Sequence, residues 1–165
     1  MPQQTGEQGC PRCGRPLDEH NRHLRFALPD PVLSVPKAER QSRTWGNDVM
    51  MQVKEVGSFV RVLLPVRLSG GYTVTFGPWL SVHPDDLRHV WEVWWSAQYR
   101  GLKLGGYLAN SIPPWGLLAA PCTAEVLNPD HAPYLTDSAE KTLARVLREE
   151  WPHDPVLSAL PANGA

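Results

Sequence analysis

Between Asp48 and Val82 the chain carries the two-residue period of β-structure, interrupted only where glycine and proline punctuate it. Asp48 to Lys54 and Ser58 to Arg67 read as strands separated by a turn at Gly57. In the second, Val60, Val62, Leu64 and Val66 share one face while Phe59, Arg61, Leu63 and Arg67 share the other. Ser69-Gly70-Gly71 is a second turn, leading into a strand whose Tyr72, Val74 and Phe76 lie on one face. Gly77-Pro78 marks a bulge or kink before Trp79 to Val82. Turns this short between strands imply an antiparallel meander.

Helical signals flank that stretch. Pro84 suits a first helical position, and Asp85 and Asp86 suit the positive end of the dipole. Leu87, Val90, Trp91, Trp94 and Trp95 recur at helical spacing, which predicts a helix from Pro84 to about Tyr99 that stops at Gly101. Residues 101–121 read as a Gly/Pro-rich loop, and Cys122 to Leu127 as one more strand. A last helix is expected from Asp137, where Asp137 and Glu140 have capping-box spacing, to Pro152, with Leu143, Val146 and Leu147 as its buried stripe. Upstream, residues 26–36 form an apolar connector broken by prolines, and Pro36 opens a short helical turn through Arg40. The expectation is therefore an α+β fold: an antiparallel sheet of about four strands packed by two main helices. Residues 1–25 form a polar start and a zinc-knuckle-like arm, 26–151 a single domain, and 152–165 a loose tail.

Composition excludes several function classes. The 165 residues suit one domain, and 42% apolar residues with 7 Trp require a sizeable core. With 16 basic and 17 acidic residues mixed along the chain, there is no basic stripe to bind nucleic acid. No apolar stretch approaches the roughly 20 residues that span a bilayer, and Met1-Pro-Gln-Gln-Thr lacks the character of a secretory signal. Three cysteines make no disulfide framework. Cytoplasmic placement, away from nucleic acid and membrane, is expected.

Cys10-Pro-Arg-Cys13-Gly14 is half of a zinc site. Two cysteines separated by two residues present both sulfurs to one tetrahedral metal. His20 and His23 complete a C-x2-C-x6-H-x2-H set, with Cys122 as the alternative to one histidine. Four protein ligands leave no open position for water, so the zinc would be structural rather than catalytic. A thioredoxin-like role needs the motif at a helix start, whereas Gly14 and Pro16 follow it here.

From Phe26 onward the chain resembles a bacterial family catalogued as domain of unknown function 2199. The resemblance rests on Phe26-Ala-Leu-Pro-Asp-Pro31, on Phe76-Gly-Pro-Trp-Leu-Ser-Val82 with the acidic helix start and Trp91-Glu-Val-Trp94, on Gly106-Tyr-Leu-Ala-Asn-Ser-Ile-Pro113 and on His131-Ala-Pro133. Members of that family often open with a Cys-x-x-Cys-Gly element, which Cys10 to Gly14 resembles. They place a His directly behind it, whereas here His20 and His23 come after Arg15-Pro-Leu-Asp-Glu19. The resemblance implies a fold and no activity.

Other candidates have plainer explanations. Cys122 with His131 and Asp130 or Asp137 has the residue types of a nucleophile–base set, but a cysteine entering a strand is ordinary core. His83 and His89 fall on different helix faces, and Asp85 and Asp86 serve the helix end. Gly70-Gly71 and Gly105-Gly106 match no phosphate loop and read as turns. Trp95, with Trp115 in the proline-rich loop, is the expected exposed aromatic surface. The functional expectation is a non-catalytic interaction or accessory protein that binds another protein and carries a structural zinc. The alternative is a small enzyme or ligand binder using the 105–115 loop and His131.

Overall fold

The computed structural model describes residues 22–160. It is mostly β, which corrects the expected α+β arrangement of about four strands under two main helices. One sheet has seven strands, in the order β10-β9-β8-β7-β4-β3-β2, and a second has three, β1-β6-β5. The strands are β1 (Arg22–Arg25), β2 (Thr44–Gly46), β3 (Met50–Val53), β4 (Gly57–Arg61), β5 (Leu64–Leu68), β6 (Tyr72–Gly77), β7 (Trp79–Val82), β8 (Lys103–Leu108), β9 (Pro121–Glu125) and β10 (Tyr134–Asp137). The helices are small: α1 (Lys37–Arg43), α2 (Pro84–Val93), α3 (Lys141–Arg148) and α4 (His153–Ser158). All ladders are antiparallel except β1 on β6, which is parallel.

The two sheets share one long ribbon. β4 pairs with β7 up to Arg61↔Trp79, and β5 pairs with β6 from Leu64↔Phe76. Between these ladders the ribbon bends at Val62-Leu63 on one strand and Gly77-Pro78 on the other, so each strand changes sheets there. Pro78 has no N–H to donate, and across the bend the Val62 N–H donates to the Pro78 carbonyl at 3.0 Å. Leu63 then bridges to Tyr134, with its N–H on the Pro133 carbonyl and its carbonyl taking the Leu135 N–H. The bent ribbon thus ties the outer strand of the large sheet to the small sheet.

Extra strands came from segments whose residues looked like loop or helix. The Gly105-Gly106 pair lies inside β8 because β7 passes too close for a side chain: a Cβ on Gly106 would sit 2.1 Å from the Ser81 carbonyl oxygen. α2 ends at Val93 rather than near Tyr99, and Ser96 caps a separate short 3-10 turn at 97–101 by accepting the Gln98 N–H. Asp137 closes β10 instead of opening a helix. Ser138 Oγ takes the Glu140 N–H, and Glu140 is itself the cap of α3, accepting the Leu143 N–H at 2.9 Å.

β4 is buried on both faces. Val60 belongs to the main core with Leu64, Val74, Phe76, Leu80 and Val90. Phe59 faces a second cluster with Val32, Val35, Met51 and Trp79, roofed by the 26–36 connector. The segment read as a tail from Pro152 carries α4, whose Val156 and Leu157 are buried in the main core.

Adding a methyl at Gly106 should therefore be costly and at Gly105 nearly free. Gly106→Ala is expected to lose about 1–3 kcal/mol in urea unfolding, as overpacking against backbone does. Gly105→Ala, which meets nothing within 4 Å, should stay within about 0.5 kcal/mol of the parent.

Candidate functional site

The bend is filled by a buried cation. The Arg61 side chain is 3% exposed. Its Nη1 donates to the carbonyls of Phe26 and Gly77, both at 2.5 Å, and its Nε donates to the Asp48 carbonyl at 3.1 Å. The guanidinium lies 4.2 Å from the centre of the Trp79 ring, a cation–π arrangement. Burial, and secondarily the Arg25 charge, pull its pKa down to about 10, with Asp48 partly opposing. That is still far above neutral, so the group is a full cation at pH 7.

A second polar anchor sits beside it. Asn110 is fully buried; its Oδ1 accepts the Trp79 N–H at 2.8 Å, and its Nδ2 donates to the Leu28 carbonyl and to Asp30 Oδ1. Trp79 Nε1 donates to the same Phe26 carbonyl that Arg61 holds. Asp30 also takes the Ser111 N–H. Residues from Phe26-Ala-Leu-Pro-Asp-Pro31, from Phe76-Gly-Pro-Trp79 and from Ala109-Asn-Ser111 therefore meet in one network, which explains why these motifs read as packing rather than catalysis.

Two cavities flank the ribbon. The larger, about 740 Å3, crosses the β7–β8–β9 face over Ser81, Gly106 and Cys122, between His83 and Asp86 on one side and Asp137 and Ser138 on the other. Its polar groups are largely committed. His83 Nδ1 accepts the Asp85 N–H as the cap of α2, and Asp137 takes the Ser138 N–H and faces Arg148 at 3.8 Å. Cys122 is 5% exposed, and burial pushes its thiol up to about 12. No imidazole or carboxylate hydrogen-bonds to it among the described residues, so it is not an activated nucleophile.

The smaller cavity, about 320 Å3, lies at the bend and is lined in part by Arg61, His23 and His131. His131 is exposed; its Nδ1 meets the Tyr134 hydroxyl at 2.8 Å, and its backbone carbonyl accepts the Tyr99 hydroxyl at 2.5 Å. Burial raises that Tyr99 hydroxyl to about 12. Cys122 and His131 thus line different cavities.

The third feature is aromatic. Trp45 from β2 and Trp91 from α2 have ring centres 4.8 Å apart, and Trp95 stands 5.8 Å from Trp91 in edge contact. All three reach solvent, at 47%, 41% and 71% exposure. α2 buries Leu87, Val90 and Val93 instead, leaving these rings on its flank. Trp94 links Trp95 inward to Tyr99. Between Trp45, Pro84, Leu87 and Trp91 runs a groove of about 300 Å3.

Of the residues singled out from sequence, Cys10, Cys13 and His20 lie outside the described residues, and His23 is an exposed member of β1. Among the described residues no group of three metal-ligating side chains occurs. Trp95 is in the exposed aromatic group. Trp115 is half-buried and packs edge-on against Phe76 and Trp151. Trp45, Arg61 and Asn110 were not singled out. The one available signal was Arg61 itself, a charge set in the most apolar strand of the chain.

The chemistry of Cys122 is directly checkable. Below about pH 12 it should remain a protonated thiol, so iodoacetamide at pH 8 should leave its peptide unmodified until denaturant is added, as read by mass spectrometry. Rapid native labelling of that peptide would contradict this placement.

No helix among the described residues is long and apolar enough to cross a membrane. No curated protein and no solved structure matches the chain. A family model does match, over residues 9–146, described as an uncharacterized protein conserved in bacteria. The chain belongs to that family, DUF2199.

Proposed function

We propose that this is a non-catalytic interaction or accessory protein of the bacterial cytoplasm, which grips another protein through the Trp45–Trp91–Trp95 surface. The observation that carries this reading is the exposure of three tryptophans joined in a row, Trp45 to Trp91 to Trp95, beside a groove of about 300 Å3. Large aromatic rings left in water are costly, and clustered ones are the usual anchors of protein interfaces. The partner presents an apolar side chain to the groove between β2 and α2. Charge favours neither nucleic acid nor a membrane surface as the occupant, since the net formal charge is -1.

The second element of the proposal is a structural zinc held by Cys10, Cys13, His20 and His23. The residue types fit a tetrahedral N/S site. His23, exposed in β1, would couple the metal to the small sheet, because β1 is hydrogen-bonded to β6.

A photo-cross-linking residue placed at Trp95, expressed in a bacterial host, should give a discrete adduct that the same residue at exposed Glu150 does not. Once the partner is purified, Trp91→Ala should weaken its binding about tenfold or more. Equal adducts at both positions, or none, would contradict the assignment of this surface. Elemental analysis should find about one zinc per chain, lost in Cys10→Ser, and a metal-free parent would remove the zinc from the proposal.

A further inference from the structure

The cavity at the ribbon bend has a lining of one sign. Its charged and titratable members are Arg25, Arg61, His23 and His131, joined by Thr75, with no Asp or Glu side chain among them. Leu24, Val49, Leu63 and Ala132 supply an apolar wall. The neighbouring acid is already used: Asp48 directs its carboxylate to Arg25 at 3.2 Å and offers Arg61 only its backbone carbonyl.

Arg61 is the unusual member. A buried cation is ordinarily paired with an anion, because neutral dipoles orient it without cancelling its charge. Here all three of its hydrogen bonds go to backbone carbonyls. Its Nη2 has no hydrogen bond among the described residues. Nor is Nη2 among the buried polar atoms sealed without a partner, which are Arg43 Nε and Trp151 Nε1. It therefore retains access to solvent in a side chain that is otherwise 3% exposed. A cavity lined by that side chain, with basic neighbours and an apolar wall, has the layout of a small-anion site.

We propose that this cavity binds a small organic carboxylate, its head group on Arg61 Nη2 and its hydrocarbon part against Leu24, Val49 and Leu63. The volume, about 320 Å3, lies at the small end of the roughly 300–1,000 Å3 range of small-molecule sites, which suits a single ring or short chain. The apolar wall selects a carboxylate with a tail over inorganic phosphate, which would leave that wall wet. Arg25 lines this cavity but is held in an exposed ion pair with Asp48, so it adds long-range attraction rather than a fixed contact. This site is independent of the tryptophan surface, and its charge comes from Arg61 and Arg25, so it does not need His23, which the zinc reading assigns to the metal.

The test is a nitrogen-15 NMR titration of the full chain with benzoate, benzamide and inorganic phosphate. Benzoate should shift the amides of Thr75, Gly77 and Ala132 saturably. Benzamide, of the same shape without the charge, should bind at least about tenfold more weakly, the worth of one charge-assisted hydrogen bond. Arg25→Gln, a substitution at an exposed position, should weaken benzoate about threefold. Equal binding of benzoate and benzamide, binding of phosphate in place of benzoate, or no saturable shift up to about 10 mM ligand would each overturn the proposal.

Discussion

The architecture depends on how one bend in a β-ribbon is kept from costing unsatisfied backbone groups. Where β4–β5 and β6–β7 change sheets, the ladders are interrupted, Pro78 removes a donor, and the nearby Phe26, Asp48 and Gly77 carbonyls rely on donors from outside the ladders. Arg61 gives each of the three a further, charged donor. Its planar fork reaches the Gly77 carbonyl on one side of the bend and the Phe26 carbonyl beyond the parallel β1, while Nε takes that of Asp48. A lysine has no such fork, and an apolar residue would leave each carbonyl with a single donor: the Phe26 N–H on Gly77, Trp79 Nε1 on Phe26 and the exposed Arg25 Nη2 on Asp48. Trp79 closes the arrangement from below, stacking on the guanidinium and sharing the Phe26 carbonyl. Asn110 extends it to the 28–30 segment, which roofs the second core cluster.

The local signals in the sequence were sound where the period was two residues and the turn chemistry unambiguous. The pairing of Ser58–Arg67 with the strands after Gly71 is visible in the alternation and in Ser69-Gly70-Gly71. What was not visible is that this is one ribbon folded across two sheets, because a bend at Gly77-Pro78 reads the same as a bulge. Gly105-Gly106 was misread for a related reason. Glycine lowers strand propensity, yet Gly106 is demanded by the approach of the Ser81 carbonyl, a tertiary fact. The helix expected at Asp137 begins at Lys141, its cap displaced to Glu140, because Ser138 and Glu140 divide the capping between them.

The candidate sites were legible to a different extent. Trp95 was recognisable as the odd member of an over-wide aromatic stripe, but Trp45, which joins the group through Trp91, comes from a strand about fifty residues before Trp95 and carries no periodic signal. Arg61 was assigned to a strand face and nothing more, since a charge in a strand is ordinarily a solvent-facing residue. Its role appears only when three carbonyls from separate segments arrive at one guanidinium. The same buried charge serves two places at once: the group that holds the bend also gives the adjacent cavity its positive sign. By contrast, Cys122, His131 and Asp137, which share the right chemistry on paper, are divided between two cavities, and burial keeps the thiol protonated.

The account stands or falls on Arg61 as the clasp of the bend. The direct measurement is urea unfolding of Arg61→Met, which preserves length and apolar volume while removing every donor, followed by the fluorescence of the 7 tryptophans. Three lost hydrogen bonds from a charged donor at about 1.5–3 kcal/mol each, offset in part by no longer burying the cation, predict a loss of about 3 kcal/mol or more, with amide exchange fastest around Phe26, Gly77 and Trp79. A variant within about 0.5 kcal/mol of the parent would show that the bend needs no clasp, and would contradict the account at its centre.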